Sequence, residues 1–279
     1  MRVTFCGVRG STPAPGPDFI RFGGNTSCVA LSRDGDGPSL LLDGGTGLRR
    51  LSQILGDCPF RGTLLLTHLH WDHVQGLPFF LSGDRDDARV TLLLPAQDGP
   101  SDAEVLLARM MSPPFFPIEP RQLRGEWRFG LVPVGPFEAE GFTVMPMEVP
   151  HKGGRTLGFR VTDGRTSVAY IPDHCPTALG DGPGGVGEYH EAVLELARDV
   201  DVLIHDSHLR AEEVAAEGSF GHAAAEYAVG LGQAAGAKRV ALFHHRPDRT
   251  DTEVEKTLSR FTASSVPVLG AEEGMSLTL

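Results

Sequence analysis

The stretch Thr67-His68-Leu69-His70-Trp71-Asp72-His73 places three imidazoles and a carboxylate within six positions. Neutral imidazole and carboxylate are donors that suit zinc, with manganese and iron also accommodated. Four donors this close can converge only on a tight turn, and two metal ions fit that density better than one. The segment follows the apolar run Leu64-Leu65-Leu66, which reads as a strand. It therefore lies in the loop at a strand's carboxyl end, where α/β sheets hold their sites. Three further donors stand singly at the ends of predicted strands: His151 after Val149-Pro150, Asp173 after Tyr170-Ile171-Pro172, and His244 after Val240–Phe243. A lone strand-end His or Asp is usually a turn or capping residue. Three of them behind a dense H-x-H-x-D-H segment point together to a metal centre. His245 leaves an ambiguity, because alternation puts it and His244 on opposite faces without saying which face meets the metal.

The elements that must position these donors read as strands alternating with helices. Strands are predicted over residues 2–8, 27–31, 39–43, 62–67, 88–94, 127–134, 142–149, 157–162, 166–171, 201–206, 238–244 and 266–269. The second and third join across the turn signal Asp34-Gly35-Asp36-Gly37. Helices are expected over 46–55, stopping at Gly56, over 101–111 with Ser101 as N-cap, and over 188–198, 222–236 and 251–263. The glycine-rich stretch 180–187 reads as a surface loop. The Pro- and Phe-rich loop 113–120 carries Phe115 and Phe116, which are expected to line the pocket or, in preference, a homodimer contact, and Trp71 is expected to pack beneath the metal loop. His174, His205 and His208 are expected at the surface or behind the ligands. The strands-then-helix pattern occurs twice, which predicts two similar α/β halves facing each other. No linker or short repeat divides the 279 residues, so one domain over 1–279 is expected.

Composition bounds the function class. With 41% hydrophobic and 22% charged residues the chain is an ordinary globular one. Its net charge of −11, with no Lys/Arg run longer than two, disfavours nucleic acid and anionic membrane as partners. No apolar run approaches the ~18 residues of a membrane span. The start, residues 1–8, lacks the apolar core of a signal peptide, and Cys6, Cys28, Cys58 and Cys175 form no CxxC pair. A cytoplasmic protein is expected.

On these motifs the sequence resembles the metallo-β-lactamase-fold hydrolases, along essentially the whole chain. The resemblance implies a four-layer αβ/βα sandwich, two mixed sheets flanked by helices, with a dinuclear site at the sheet edges. It implies His68, His70 and His151 on one divalent metal ion, Asp72, His73 and His244 on the other, and Asp173 between them. Asp43, in Leu42-Asp43-Gly44-Gly45-Thr46-Gly47, would orient a ligand histidine. Aspartate at the position of Asp173 argues against the zinc β-lactamases that use cysteine there, and His70 against the flavodiiron oxidoreductases.

Gly221-His222-Ala223-Ala224, 22 positions before His244, further resembles the helix-opening loop of ribonuclease Z and related phosphodiesterases. That spacing favours His244 over His245 as the final ligand. The likeness implies that His222 contacts the phosphate and protonates the leaving oxygen, supported by Asp206 at the end of the preceding strand. Asp72 would help take the proton from the attacking water. Gly7-Val8-Arg9-Gly10-Ser11 and Gly24-Asn25-Thr26-Ser27 also look like this branch. The usual His-Ser-Thr is replaced by His222-Ala223-Ala224, and no long basic excursion is present. A small-molecule or cyclic phosphodiester is therefore expected over tRNA. The alternatives are a ribonuclease Z-like endonuclease, a lactonase- or thioesterase-type acyl hydrolase, and a non-catalytic metal-binding module.

Overall fold

The computed structural model describes residues 1–56, 58–99 and 102–279. In chain order its strands are β1 (Arg2–Gly7), β2 (Cys28–Ser32), β3 (Leu40–Leu42), β4 (Arg61–Leu65), β5 (Arg89–Leu94), β6 (Glu126–Leu131), β7 (Phe137–Ala139), β8 (Phe142–Val149), β9 (Thr156–Thr162), β10 (Ser167–Ile171), β11 (Val202–Asp206), β12 (Val240–Phe243), β13 (Val268–Gly270) and β14 (Ser276–Thr278). The helices are α1 (Leu48–Leu55), α2 (Trp71–Val74), α3 (Ala103–Ala108), α4 (Glu191–Ala197), α5 (Val214–Glu217), α6 (Ala225–Ala234) and α7 (Asp251–Ser259).

Two seven-stranded sheets form, ordered β14-β1-β2-β3-β4-β5-β6 and β13-β12-β11-β10-β9-β8-β7. In the first, β3 to β6 run parallel and the other pairings are antiparallel. In the second, β10 to β13 run parallel and β7 to β10 alternate. The two expected halves are thus present, each with the same plan. Val3, Phe5, Leu31, Leu42 and Leu65 of the first sheet meet Phe142, Phe159, Val161, Ile204 and Phe243 of the second in one buried layer. Leu48, Leu51 and Leu107 of α1 and α3 cover the outer face of the first sheet. Leu196, Tyr227 and Leu231 of α4 and α6 cover the second. Strands β2, β3 and β10 to β12 are buried on both faces, which is why they read as unbroken apolar runs. The result is the four-layer α/β sandwich expected.

Local chemistry sets the element ends. Helix α1 stops at Gly56, whose φ of 59° suits a residue without Cβ. Helix α7 starts at a capping box between Thr250 and Glu253. Several boundaries differ from expectation, some of them with consequences for the site. The strand expected over 62–67 ends at Leu65, because Thr67 turns away to bond Asp43. The helix expected from 222 begins at Ala225, leaving His222 in the loop before it. Helix α3 is shorter than 101–111 and is capped by Asp102, whose side chain accepts from the Val105 amide; Ser101 lies outside the described residues. Among the described residues no helix is long and apolar enough to cross a membrane.

Candidate metal centre

Strands β8, β10, β11 and β12 point the same way, and so do β3 and β4. His151, Asp173, Asp206 and His244 stand at the carboxyl ends of the first group, and Asp43 and His68 just beyond those of the second. The chain after His68 turns into α2, a single turn with His70 as its N-cap. That turn brings His70, Asp72 and His73 over the strand ends.

Two donor sets result. Nitrogens of His68, His70 and His151 lie within 4.8 Å of one another, as do donor atoms of Asp72, His73 and His244. His151 Nε2 is 3.2 Å from His70 Nδ1. Asp173 reaches both sets. Its Oδ1 is 3.5 Å from His151 Nε2, and its Oδ2 is 2.8 Å from His73 Nε2 and 3.1 Å from His244 Nε2. Asp72 Oδ2 is 3.0 Å from His244 Nε2. His222 Nδ1 lies 3.2 Å from Asp206 Oδ2 and 3.4 Å from Asp173 Oδ1. A cavity of about 370 Å³ opens over this group, lined by Ser11, Leu69, His70, Trp71, Asp72, Asp173 and His222.

The residues from 40 to 245 match the family model of the beta-lactamase superfamily domain. The chain belongs to that superfamily. Its fold is that of the metallo-beta-lactamase fold protein YhfI from Bacillus subtilis, at 20% identity over 99% of both chains with a TM-score of 0.73. It is also similar in architecture to Zn(2+)-bound PqqB from Methylobacterium extorquens, at 18% identity over 100% of both chains and a TM-score of 0.68. Among curated relatives, ribonuclease Z of Haloarcula marismortui is 25% identical, across 99% of this chain and 96% of its own. The superfamily member described here is a metal-dependent hydrolase.

The donors of this superfamily site fit divalent cations. His151 donates its Nδ1–H to the Gly221 carbonyl at 2.7 Å, and Asp43 accepts from His73 Nδ1 at 2.8 Å. Each bond fixes a tautomer that leaves Nε2 with a lone pair aimed inward. His68 Nε2, His73 Nε2 and Asp173 Oδ2 are buried without a hydrogen-bond partner. Such converging lone pairs need a cation among them. Burial, then the neighbouring imidazoles, push His68 well below its ordinary value, and burial also lowers His70 and His151. Neutral imidazole is the form that ligates. Burial opposes charge on His73, but Asp72, Asp43 and Asp173 outweigh it and lift that imidazole well above the ordinary range. A metal ion would take the place of that proton.

In this superfamily hydrolase His244 and His245 part geometrically. Strand β12 ends at Phe243, and His244 has a φ of 57°, so it bends out of the alternation toward Asp72. His245 turns the other way, donating Nε2–H to the Ala271 carbonyl with its ring edge-on to Phe22. Trp71 is 75% exposed and does not pack beneath the loop. Phe115 and Phe116 line a cavity with Trp71. His174, His205 and His208 are all buried. The His174 and His208 amides donate to the Asp206 carboxylate, and His205 Nδ1 donates to its backbone carbonyl.

Sequence reasoning missed several participants. The Tyr170 hydroxyl donates to Asp43 at 2.9 Å across the sheet interface. The His208 ring stacks on His222, with centroids 4.1 Å apart. The Ser11 amide donates to Asp72 at 2.7 Å, and any Cβ at Gly10 would collide with the His244 ring. The Gly-Val-Arg-Gly-Ser motif was visible, but its contact with the far end of the chain was not. Arg9 makes that contact: wholly buried, it donates to the carbonyls of Gly23, Arg246 and Arg249.

Proposed function

We propose that this hydrolase cleaves phosphodiester bonds with two divalent cations, zinc first among them, and that a small or cyclic nucleotide-type diester is its substrate. His68, His70 and His151 would hold one cation, Asp72, His73 and His244 the other, with Asp173 shared. Bound there, such cations supply Lewis acidity and a water of lowered pKa. The observation that carries the reading is the His222–Asp206 pair beside the donors, at 3.2 Å, with the His222 side chain 12% exposed at the cavity wall. An alkoxide leaving phosphorus needs a proton, and a carboxylate-held imidazolium can give one. Burial alone would lower His222, but Asp206, Asp173 and Asp72 lift it to about 9. With cations on Asp72 and Asp173, Asp206 is the carboxylate left to support that charge. Since Nδ1 is engaged by Asp206, Nε2–H is the proton offered to the leaving oxygen. Asp72, with one oxygen held by the Ser11 amide, is placed to accept a proton from the attacking water.

The same pair would serve an RNA phosphodiester, and the ribonuclease Z relatives favour that second reading. The net charge of −11 favours the small substrate. We further read residues 1–279 as one domain, and place it in the cytoplasm, where Cys6, Cys28, Cys58 and Cys175 would stay the free thiols they are here. The test is turnover by the metal-loaded protein on cyclic nucleotides, chromogenic phosphodiesters, a lactone and precursor tRNA. His222→Ala should keep its metal and lose on the order of 10²–10⁴ in rate on alkyl leaving groups. The loss should shrink for bis(p-nitrophenyl) phosphate, whose leaving group needs no proton. A lactone preferred over every phosphodiester would overturn the reaction class.

A further inference from the structure

Trp71 sits inside the metal-binding turn, between His70 and Asp72, yet its indole is 75% exposed. It lines the cavity over the donors, and it also lines a second cavity of about 480 Å³ alongside. That size falls in the ~300–1,000 Å³ range of small-ligand sites. Phe79, Phe115, Phe116, Met110 and Arg109 share its wall with Gln75 and Pro78. Phe79 and Phe116 meet edge to face at 5.8 Å and 88°. Phe115 is 82% exposed and Phe79 62%. Solvated aromatic rings clustered at a cavity mark a binding surface. Among the described residues no carboxylate pairs with the Arg109 guanidinium, although the chain as a whole is acidic. An apolar aromatic box edged by a guanidinium, joined by a shared indole to a phosphodiester site, matches a flat ring attached to a phosphate.

Resting on the phosphodiesterase reading, we propose that this cavity is a nucleobase subsite. Trp71 would stack on the base of a small nucleotide diester, and Arg109 would face the anionic backbone. The scissile phosphate would then lie in the adjoining cavity, against His70, Asp72, Asp173 and His222. Base–aromatic stacking is sequence-tolerant, so the subsite would select a planar ring rather than one base.

Two diesters with one leaving group test this: thymidine 5′-(p-nitrophenyl phosphate) and ethyl p-nitrophenyl phosphate. Trp71→Ala with wild-type metal content should lower kcat/KM for the nucleoside diester on the order of 5- to 150-fold, from the alanine-substitution cost of base stacking. It should cost the ethyl diester, which has no base to stack, far less, so that the ratio of the two falls, and Trp71→Phe should recover most of the loss. Arg109→Ala should weaken the nucleoside diester selectively as well. Equal losses on both diesters would overturn the subsite. So would an unchanged ratio with a shift in oligomeric state, which would make the aromatic face a contact between copies. A second readout needs no turnover. Trp71 and Trp127 are the only two tryptophans, so Trp127→Phe leaves Trp71 as the reporter. Thymidine 5′-monophosphate should quench its fluorescence saturably; the absence of quenching would count against the subsite. Failure of the wild type to hydrolyse either diester would instead refute the phosphodiesterase reading, with quenching still deciding the subsite.

Discussion

Replacing Asp43 by asparagine should strip metal from the site without unfolding the protein. The carboxylate collects five contacts. Its Oδ1 accepts from the Thr67 amide at 2.8 Å and the Thr67 hydroxyl at 3.0 Å, and its Oδ2 from that hydroxyl at 3.0 Å, His73 Nδ1 at 2.8 Å and the Tyr170 hydroxyl at 2.9 Å. Asparagine has the same shape and tolerates the φ of 64° at this position. Its single oxygen must stay on the Thr67 amide, which cannot turn away. The new NH₂ then faces Tyr170 and His73. The tyrosine hydroxyl can rotate and accept. The imidazole can accept only if its proton moves to Nε2, the atom 2.8 Å from Asp173. A protonated Nε2 has no lone pair for a metal. Restoring the ligating tautomer forfeits one charge-assisted hydrogen bond, about 1.5–3 kcal/mol. At about 1.4 kcal/mol per decade, the metal affinity should fall roughly 10- to 150-fold, consistent with the ~10–100-fold seen when partners of metal-bound histidines are removed. Competition with a chromogenic zinc chelator measures this, and thermal unfolding of the metal-free protein monitors the fold. Zinc affinity within about threefold of wild type would refute the tautomer argument.

His244→Ala should lose metal by elemental analysis, whereas His245→Ala should keep it and melt earlier, because His245 bonds Ala271 in the core; metal loss in the second variant alone would reverse the assignment. Arg9→Met would leave the carbonyls of Gly23, Arg246 and Arg249 without their buried donor, and urea unfolding should register a loss of several kcal/mol, about 3–5. Glu213 answers to pH. Burial would raise its carboxyl, but Arg210 and Arg249 draw it down to about 2. Its stabilising contribution is therefore present above the ordinary glutamate range and lost as pH falls toward 2. The melting-temperature gap between wild type and Glu213→Gln should be open at pH 6 and narrow by pH 2.5; a gap that does not change would refute the pairing.

The candidate donors stood out in the sequence as a dense His/Asp cluster behind one apolar run and as single His or Asp residues at the ends of three others, a pattern that survives any uncertainty about strand length. The parallel order of the strands did not, and it is what turns seven separated residues into two donor sets. Alternation could not separate His244 from His245, since the strand ends one residue early and a left-handed backbone breaks the period. Tyr170 read as one more apolar residue in a buried strand, and nothing local marks its hydroxyl as facing Asp43 across the sandwich. Trp71 misled for the opposite reason. A tryptophan amid ligands suggests packing, but the one-turn helix leaves that position outward. Strands β7 and β14, three residues each, are too short to show a period.

Strand β14 has a further bearing, on how the molecule is made. It follows all the other strands in chain order, yet it pairs with β1, which precedes them all, and shields one side of it. During synthesis the leading sheet must therefore wait, its β1 edge open to any passing strand, until residues 276–278 have been made and have reached it. Removing residues 276–279 would make that exposure permanent while leaving every metal donor in place. Such a shortened chain should assemble a metal site and still be lost to aggregation during expression.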